Sequence, residues 1–127
     1  MNITEARILV VEDDAVMCTY VVNALGRLGI AAIQTATDGA SALKKMDQFQ
    51  PDLVITDIHM QPVGGLEVVQ AMRKHGSVAR REMPVIFMSA DSSLGTLQNA
   101  LPLGSSGFIV KPPSLETLRA KIELALN

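Results

Sequence analysis

Short apolar runs alternate along the chain with segments whose apolar residues recur every three or four positions. A short apolar or β-branched run between turn-forming residues predicts a strand that is buried on both faces. Such runs occupy residues 7–11, 31–36, 53–56, 84–88 and 107–110. The run at 53–56 lies between Pro51 and the proline- and glycine-containing residues 61–65. It leads directly into Asp57, so this strand is predicted to carry a carboxylate at its C-terminal end.

Helical spacing of apolar residues marks the segments that follow these runs. We predict helices over residues 16–28, 38–50, 66–72, 94–100 and 115–126. The first should stop at Gly29, and a polar connection over residues 73–82 should follow the third. The fourth should be short, because Gly95 and Pro102 disfavour the interior of a helix. The expected N-terminal caps are Asp13 or Asp14 for the first helix and Ser114 for the last.

Strands that alternate with helices predict a parallel sheet with right-handed connections and helices on both faces. The five strand–helix pairs therefore predict a doubly wound α/β fold, in which a five-stranded parallel sheet is flanked by five helices. The chain has 127 residues, which suits one domain of ordinary size. We accordingly expect residues 1–127 to form a single domain.

Composition narrows the classes of function. The net charge at pH 7 is −2 and no basic stripe is seen, so no direct nucleic-acid partner is expected. The longest apolar run is far shorter than the roughly 18 residues of a membrane span, and no secretory signal peptide is seen. We therefore expect no membrane association. Cys18 is the only cysteine, which excludes an intrachain disulfide and favours a cytoplasmic location.

Polar residues follow four of the predicted strands at their C-terminal ends. They are Glu12 and Asp13 after the first strand, Asp57 after the third, Ser89 after the fourth and Lys111 after the fifth. The C-terminal ends of parallel strands meet at one edge of a sheet, which is where ligands bind in open α/β folds. Three carboxylates at one edge repel each other. A Mg²⁺ ion, which prefers oxygen ligands, would relieve that repulsion.

Other chemistries find little support in the sequence. The phosphate-binding patterns G-x-x-x-x-G-K-[ST] and G-x-G-x-x-G are absent. The two histidines, His59 and His75, are too few for a typical zinc site, and no serine-hydrolase order is seen. Of the chemistries considered, phosphoryl transfer to a carboxylate is the one that these residues fit. In this hypothesis Asp57 attacks in line, a cation bridges it to the phosphoryl oxygens, and Lys111 and Ser89 hold the other oxygens.

The residues that carry this hypothesis resemble the receiver domain of two-component response regulators. The resemblance covers essentially the whole chain. It rests on residues 9–13, on Asp57 followed by Met60 and Gly65, on residues 84–90 and on residues 107–112. Each motif is common by itself, but their order and spacing together are specific. The resemblance implies a flavodoxin-like sheet in the order 2-1-3-4-5.

The resemblance also implies roles for individual residues. Asp57 would be the phosphoacceptor and Lys111 would contact the phosphoryl group, with a cis peptide between Lys111 and Pro112. Ser89 would be the switch hydroxyl and Phe108 the switch aromatic residue. The Mg²⁺ ligands would be Glu12, Asp13, Asp57 and the backbone carbonyl of His59.

The implied function is signalling rather than enzymatic. A sensor histidine kinase or a histidine phosphotransfer protein would supply the phosphoryl group. The face formed by the fourth helix, the fifth strand and the last helix would then bind a downstream effector protein or domain. Two other hypotheses stay open, namely a receiver that serves as a phosphorylation-independent scaffold and a phosphatase with an aspartate nucleophile. The phosphatase would require a second aspartate at position 59, which is His59.

Several residues also have a purely structural interpretation. Glu12 and Asp13 would favour the start of a helix in any case, Ser89 would serve as a helix cap, and Phe108 would be an ordinary core residue.

The sequence departs from the family pattern after Asp57. Pro62 stands one place later than the usual proline, and Gly64 replaces a common acidic or amide cap.

Overall fold

A five-stranded parallel sheet forms the centre of the molecule. The computed structural model describes residues 1–60, 63–74, 76, 81–90, 98 and 105–127. Strands β1 to β5 span Arg7–Val11, Ala32–Ala36, Leu53–Asp57, Val85–Ser89 and Gly107–Val110. They are hydrogen-bonded in the order β2-β1-β3-β4-β5, and every neighbouring pair is parallel. This arrangement confirms the predicted fold class and strand order.

Four α-helices accompany the sheet in the part of the chain that the structure describes. Helices α1 to α4 span Ala15–Arg27, Gly39–Phe49, Gly65–Lys74 and Leu115–Leu126, and a short 3₁₀ helix spans Ile3–Glu5. They correspond to the first, second, third and last predicted helices. Of the helix predicted over residues 94–100, only Gln98 is among the described residues, and its backbone is helical. Each of the described helices is too short or too polar to cross a lipid bilayer.

Both faces of the sheet are buried beneath helices. Successive residues of a strand point to opposite faces, so each strand contributes to two apolar clusters. On one face, Leu9, Val54 and Phe87 belong to an apolar cluster that includes residues of α2 and α3. On the other face, Ile8 and Ile55 belong to a second cluster that includes residues of α1 and α4. This two-sided burial explains why β1, β3 and β4 are apolar runs rather than alternating ones.

Side-chain caps fix three of the helix starts. Asp14, Asp38 and Ser114 each accept a hydrogen bond from the backbone N–H three residues later, which stabilises the first turn of α1, α2 and α4. These contacts confirm Ser114 as a cap and select Asp14 over Asp13. Helix α1 ends before Gly29, whose φ of 89° lies in the left-handed region, as predicted for a glycine stop.

Several predicted boundaries were wrong by one or two residues, and two of these differences have a clear physical reason. Strand β4 begins one residue after Pro84, which has no N–H to donate, although the Pro84 carbonyl accepts a hydrogen bond from Val54 N at 3.0 Å. The predicted polar connection begins too early, because Arg73 and Lys74 belong to the last turn of α3. Basic residues are favourable there, and Arg73 Nη1 also donates to the Met83 carbonyl at 2.8 Å.

Candidate phosphoacceptor and metal site

The C-terminal ends of four strands bring the predicted site residues to one edge of the sheet. Val11 pairs with Thr56, and Asp57 pairs with Met88. Ser89 pairs with Val110, and its carbonyl accepts a hydrogen bond from the Lys111 N–H at 2.9 Å. The residues that directly follow β1 and β5 therefore lie at the same edge as Asp57. This convergence follows from the parallel register alone.

Three carboxylates form a cluster at this edge. Glu12, Asp13 and Asp57 each offer an oxygen, and the three oxygens lie within 4.8 Å of one another. Glu12 and Asp57 are buried, whereas Asp13 is exposed. The cluster therefore has a closed side formed by the sheet and an open side at Asp13. A ligand that enters from solvent would meet Asp13 first.

Lys111 supplies a positive charge to the buried side of the cluster. Its ammonium group forms ion pairs with Glu12 Oε1 and, at 3.0 Å, with Asp57 Oδ2, and its side chain is only 12% exposed. Burial lowers the pKa of Lys111, but the hydrogen bonds and charges of Glu12 and Asp57 raise it by more, so its pKa lies above the ordinary value. Lys111 is therefore charged at neutral pH. One cation against three carboxylates leaves two excess negative charges.

The pKa of Glu12 lies above its ordinary value. Burial is the largest cause, and the charge of Asp57 adds to it, while Lys111 and the Asp14 N–H act in the opposite direction. Glu12 Oε2 accepts a hydrogen bond from Asp14 N at 3.2 Å. Glu12 Oε1 is buried and has no hydrogen-bond partner besides its ion pair with Lys111. A buried carboxylate oxygen in this state has capacity for a further positive charge.

The chemistry of this donor set fits a hard divalent cation. All three side chains offer oxygen atoms, and the excess of two negative charges equals the charge of Mg²⁺. The fourth predicted ligand, the backbone carbonyl of His59, stays a prediction. His59 is exposed, and its N–H donates to Asp57 Oδ1 at 3.4 Å. His59 thus lies next to the Asp57 carboxylate.

The two predicted switch residues lie in different surroundings. Ser89 is buried at the end of β4. Phe108 pairs with Phe87 across β4 and β5, is partly buried, and packs against the apolar cluster on the α2 and α3 face. This packing is compatible with a core role and with a switch role, so the assignment of Phe108 stays a prediction.

One contact at the site edge was not predicted from the sequence. Tyr20 Oη donates a hydrogen bond to the Pro113 carbonyl at 2.8 Å, which joins α1 to the segment that follows Lys111. The peptide between Lys111 and Pro112 is cis. Tyr20 is the only tyrosine of the chain, and it stands on the partly exposed side of α1. The tyrosine hydroxyl itself was the one signal in the sequence that could have indicated this hydrogen bond.

Comparison with known proteins identifies the family. The family model of the response regulator receiver domain matches residues 8–123. The chain therefore belongs to the response regulator receiver domains, the phosphorylated signalling domains of two-component systems, which bind Mg²⁺ at an acidic site and interact with histidine kinases and downstream effectors. The cluster of Glu12, Asp13 and Asp57 fits the phosphorylation site of this family.

Individual relatives are consistent with membership of this family. The chain is 34% identical over 126 residues to the transcriptional regulatory protein PrrA of Mycobacterium tuberculosis, covering 99% of this chain and 52% of that protein. It is 36% identical over 115 residues to a protein-glutamate methylesterase/protein-glutamine glutaminase of Koribacter versatilis, covering 88% of this chain and 30% of that protein. The chain thus spans about half or less of the length of these relatives.

Solved structures support the same conclusion. The chemotaxis protein CheY4 of Vibrio cholerae matches with a TM-score of 0.86 and 29% identity, covering 95% of this chain and 98% of that chain. A putative response regulator from Chloroflexus aurantiacus shares the fold, with a TM-score of 0.87 at 20% identity, over 95% of this chain and 97% of that one. Neither the phosphatase nor the phosphorylation-independent scaffold is favoured by these findings.

Proposed function

We propose that Asp57 accepts a phosphoryl group from a phosphohistidine of a partner protein. The observation that carries this proposal is the ion pair between Asp57 and Lys111 inside a cluster of three carboxylates at the C-terminal edge of the sheet. Asp57 is buried at the end of β3, with its charge balanced by a lysine that is also able to hold an incoming anion. The donor is a sensor histidine kinase or a histidine phosphotransfer protein.

The proposed transfer is a single in-line displacement at phosphorus. An Asp57 carboxylate oxygen forms the new O–P bond while the P–N bond to the donor histidine breaks. The electron pair of that bond stays on the imidazole nitrogen, and the ring leaves as neutral imidazole because its other nitrogen carries a proton throughout. Lys111 shifts its ion pairs from the carboxylates to the phosphoryl oxygens, and the Ser89 hydroxyl donates a hydrogen bond to one of them. No other group is consumed.

Glu12, Asp13, Asp57 and the His59 carbonyl would hold Mg²⁺. When bound, the ion neutralises the charge that the carboxylates and the phosphoryl oxygens share. The residues themselves orient the acceptor. Lys111 holds Asp57 Oδ2 from one side, and the His59 N–H contacts Oδ1 from the other. The carboxylate plane is thereby fixed before the donor arrives, which lowers the entropic cost of the reaction.

The phosphorylated domain is proposed to act as a binding switch rather than as an enzyme of its own. Movement of Ser89 toward the phosphoryl group and repacking of Phe108 would change the face formed by the predicted fourth helix, β5 and α4. A downstream effector protein or domain would bind that face. The shift is limited to the difference in free energy with which the phosphoryl group favours one of the two states. We place this signalling unit, residues 1–127, in the cytoplasm.

Labelling by a small phosphodonor tests the acceptor assignment. Asp57→Asn removes the nucleophile at nearly constant size, so Mg²⁺-dependent labelling by ³²P-acetyl phosphate should fall to background. Asp47→Asn, at an exposed aspartate in the last turn of α2, is the control and should be labelled like the unsubstituted protein. Full labelling of Asp57→Asn would disprove the assignment. Absence of both labelling and Mg²⁺ binding in the unsubstituted protein would support the scaffold hypothesis instead.

A further inference from the structure

The start of α3 lies directly against the backbone of the phosphoacceptor. A Cβ atom added to Gly65 would overlap the Asp57 carbonyl oxygen, and it would lie 3.0 Å from the Asp57 carbonyl carbon and 3.1 Å from Ile58 Cα. The φ angle is not positive at either Gly64 or Gly65, both of which the structure describes. The glycine at 65 is therefore required by space and not by backbone conformation.

Hydrogen bonds join the same two segments. The Gly65 N–H donates to the Ile58 carbonyl at 2.9 Å, and a Cβ atom at Gly64 would lie 2.8 Å from that same oxygen. On the strand side, the Thr56 hydroxyl donates to the Asp57 carbonyl at 3.0 Å, and the Ile58 N–H donates to Met88 O at 3.0 Å. The two peptides that directly follow Asp57 Cα, Asp57–Ile58 and Ile58–His59, are thus both held by hydrogen bonds.

The outer side of the β3–α3 connection is packed as well. A Cβ atom at Gly39, the first residue of α2, would lie 2.5 Å from Val63 Cγ1 and 2.5 Å from Val68 Cγ2. Val63 directly precedes Gly64. Residues 63–65 are therefore held between the N-terminus of α2 and the end of β3. Val63 and Val68 thus pack directly against the N-terminus of α2.

The geometry points to Gly65, assisted by Gly64, as a positioning residue that sets the place of the Asp57 carboxylate and of the His59 carbonyl. This inference rests on the proposed function. A side chain at 65 must push the Asp57 peptide away by about 1 Å before normal contact is restored. Mg²⁺ demands near-ideal octahedral geometry at about 2.0–2.1 Å. A displacement of about 1 Å is also large enough to slow a positioned reaction about 100-fold.

The test measures metal binding and phosphorylation separately. We expect Gly65→Ala to bind Mg²⁺ at least about tenfold more weakly by isothermal titration calorimetry, because its ligands no longer share one octahedron. At saturating Mg²⁺, its labelling rate with acetyl phosphate should fall about 100-fold. Gly26→Ala is the matched control, because a Cβ atom at Gly26 meets nothing within 4 Å. It should bind Mg²⁺ and be labelled as the unsubstituted protein is.

Far-UV circular dichroism and thermal unfolding show whether each variant is folded at the assay temperature. A folded Gly65→Ala with unchanged Mg²⁺ affinity and labelling rate would overturn the positioning role. If Gly65→Ala does not fold, Gly64→Ala decides, since its clash is confined to one carbonyl oxygen. Weaker Mg²⁺ binding by folded Gly64→Ala supports the role, and unchanged binding overturns it. Failure of the unsubstituted protein to be labelled would instead count against the proposed function.

Discussion

Replacing Asp13 by asparagine removes one negative charge from the carboxylate cluster at nearly constant size. Asp13 is the exposed member of the cluster, so its side chain loses little burial on substitution. No cap is lost either, because Asp14 caps α1. The change therefore acts mainly through electrostatic repulsion. We expect Asp13→Asn to stabilise the metal-free protein and to abolish most of its stabilisation by Mg²⁺.

The magnitude follows from the spacing of the oxygens. At the limiting separation of 4.8 Å, two carboxylates in a solvent-exposed setting repel each other by about 0.9 kcal/mol. Asp13 has two such neighbours, Glu12 and Asp57, which gives about 1.7 kcal/mol before salt screening. Loss of the attraction between Asp13 and Lys111 offsets roughly one of these pairs. The free energy of unfolding should thus rise by about 1 kcal/mol, or about 3–5 °C in Tm.

Urea unfolding with EDTA and with excess Mg²⁺ measures both effects. A ligand that binds only the folded state adds about 2.7 kcal/mol at one hundred times its Kd. The unsubstituted protein should gain this stability and Asp13→Asn only a small part of it, so the order of stability reverses between the two conditions. Asp14→Asn is the control. Asparagine caps a helix as well as aspartate, and the Mg²⁺ response of this variant should stay within about twofold.

Two results would refute this reasoning. If Asp13→Asn lowers the stability of the metal-free protein, the cluster is not under net repulsion and Asp13 has a stabilising contact that the geometry does not indicate. If Mg²⁺ stabilises Asp13→Asn as much as the unsubstituted protein, Asp13 is not a ligand. An equal gain in Asp14→Asn without metal would assign the effect to general surface charge rather than to the cluster.

Three other substitutions test the electrostatics and the backbone. The raised pKa of Lys111 means that its ion pairs with Glu12 and Asp57 stabilise the folded state below the ordinary lysine pKa of 10.5. That stability is lost as the pH rises through the higher pKa that Lys111 has in the folded state. Urea unfolding should therefore show Lys111→Met to be less stable than the unsubstituted protein by about 2–3 kcal/mol near pH 8. The difference should shrink above pH 10.5. Gly26→Ala should raise the free energy of unfolding by about 0.5–1 kcal/mol, whereas Gly29→Ala should lower it by about 1–2 kcal/mol in the same assay. Of these two glycines, Gly29 is the one with a positive φ, so equal effects of the two changes would contradict this reasoning.

The sheet was predictable because burial on both faces leaves a strong pattern. Strands β1 and β5 begin and end where their apolar runs do, and β3 differs only by the inclusion of Asp57. Parallel pairing then forces the residues that follow these strands onto one edge. The convergence of the candidate residues at this edge, including Glu12 and Lys111, was thus predictable from the order of strands and the residue types alone. The resemblance to receiver domains added the expected strand order.

Contacts between distant segments were not predictable. The ion pairs of Lys111 join β5 to the ends of β1 and β3, and their lengths depend on side-chain conformations that no periodicity encodes. Helix ends were also misplaced, as at Arg73 and Lys74, because basic residues suit both a surface connection and the last turn of a helix. The Tyr20 bond to Pro113 involves residues far apart in sequence for which no local rule applies.

Gly64, which replaces the acidic or amide cap that is common in the family, changes how the start of α3 is stabilised. The first intrahelical hydrogen bond of α3 runs from Val68 N to Gly64 O at 3.0 Å, so Gly64 occupies the N-cap position without a capping side chain. The Gly65 N–H instead donates to the carbonyl of Ile58, the residue that directly follows β3. A side-chain cap would stabilise α3 independently of β3. A backbone cap makes the start of α3 and the position of Asp57 depend on each other, so a movement of either one must be transmitted to the other.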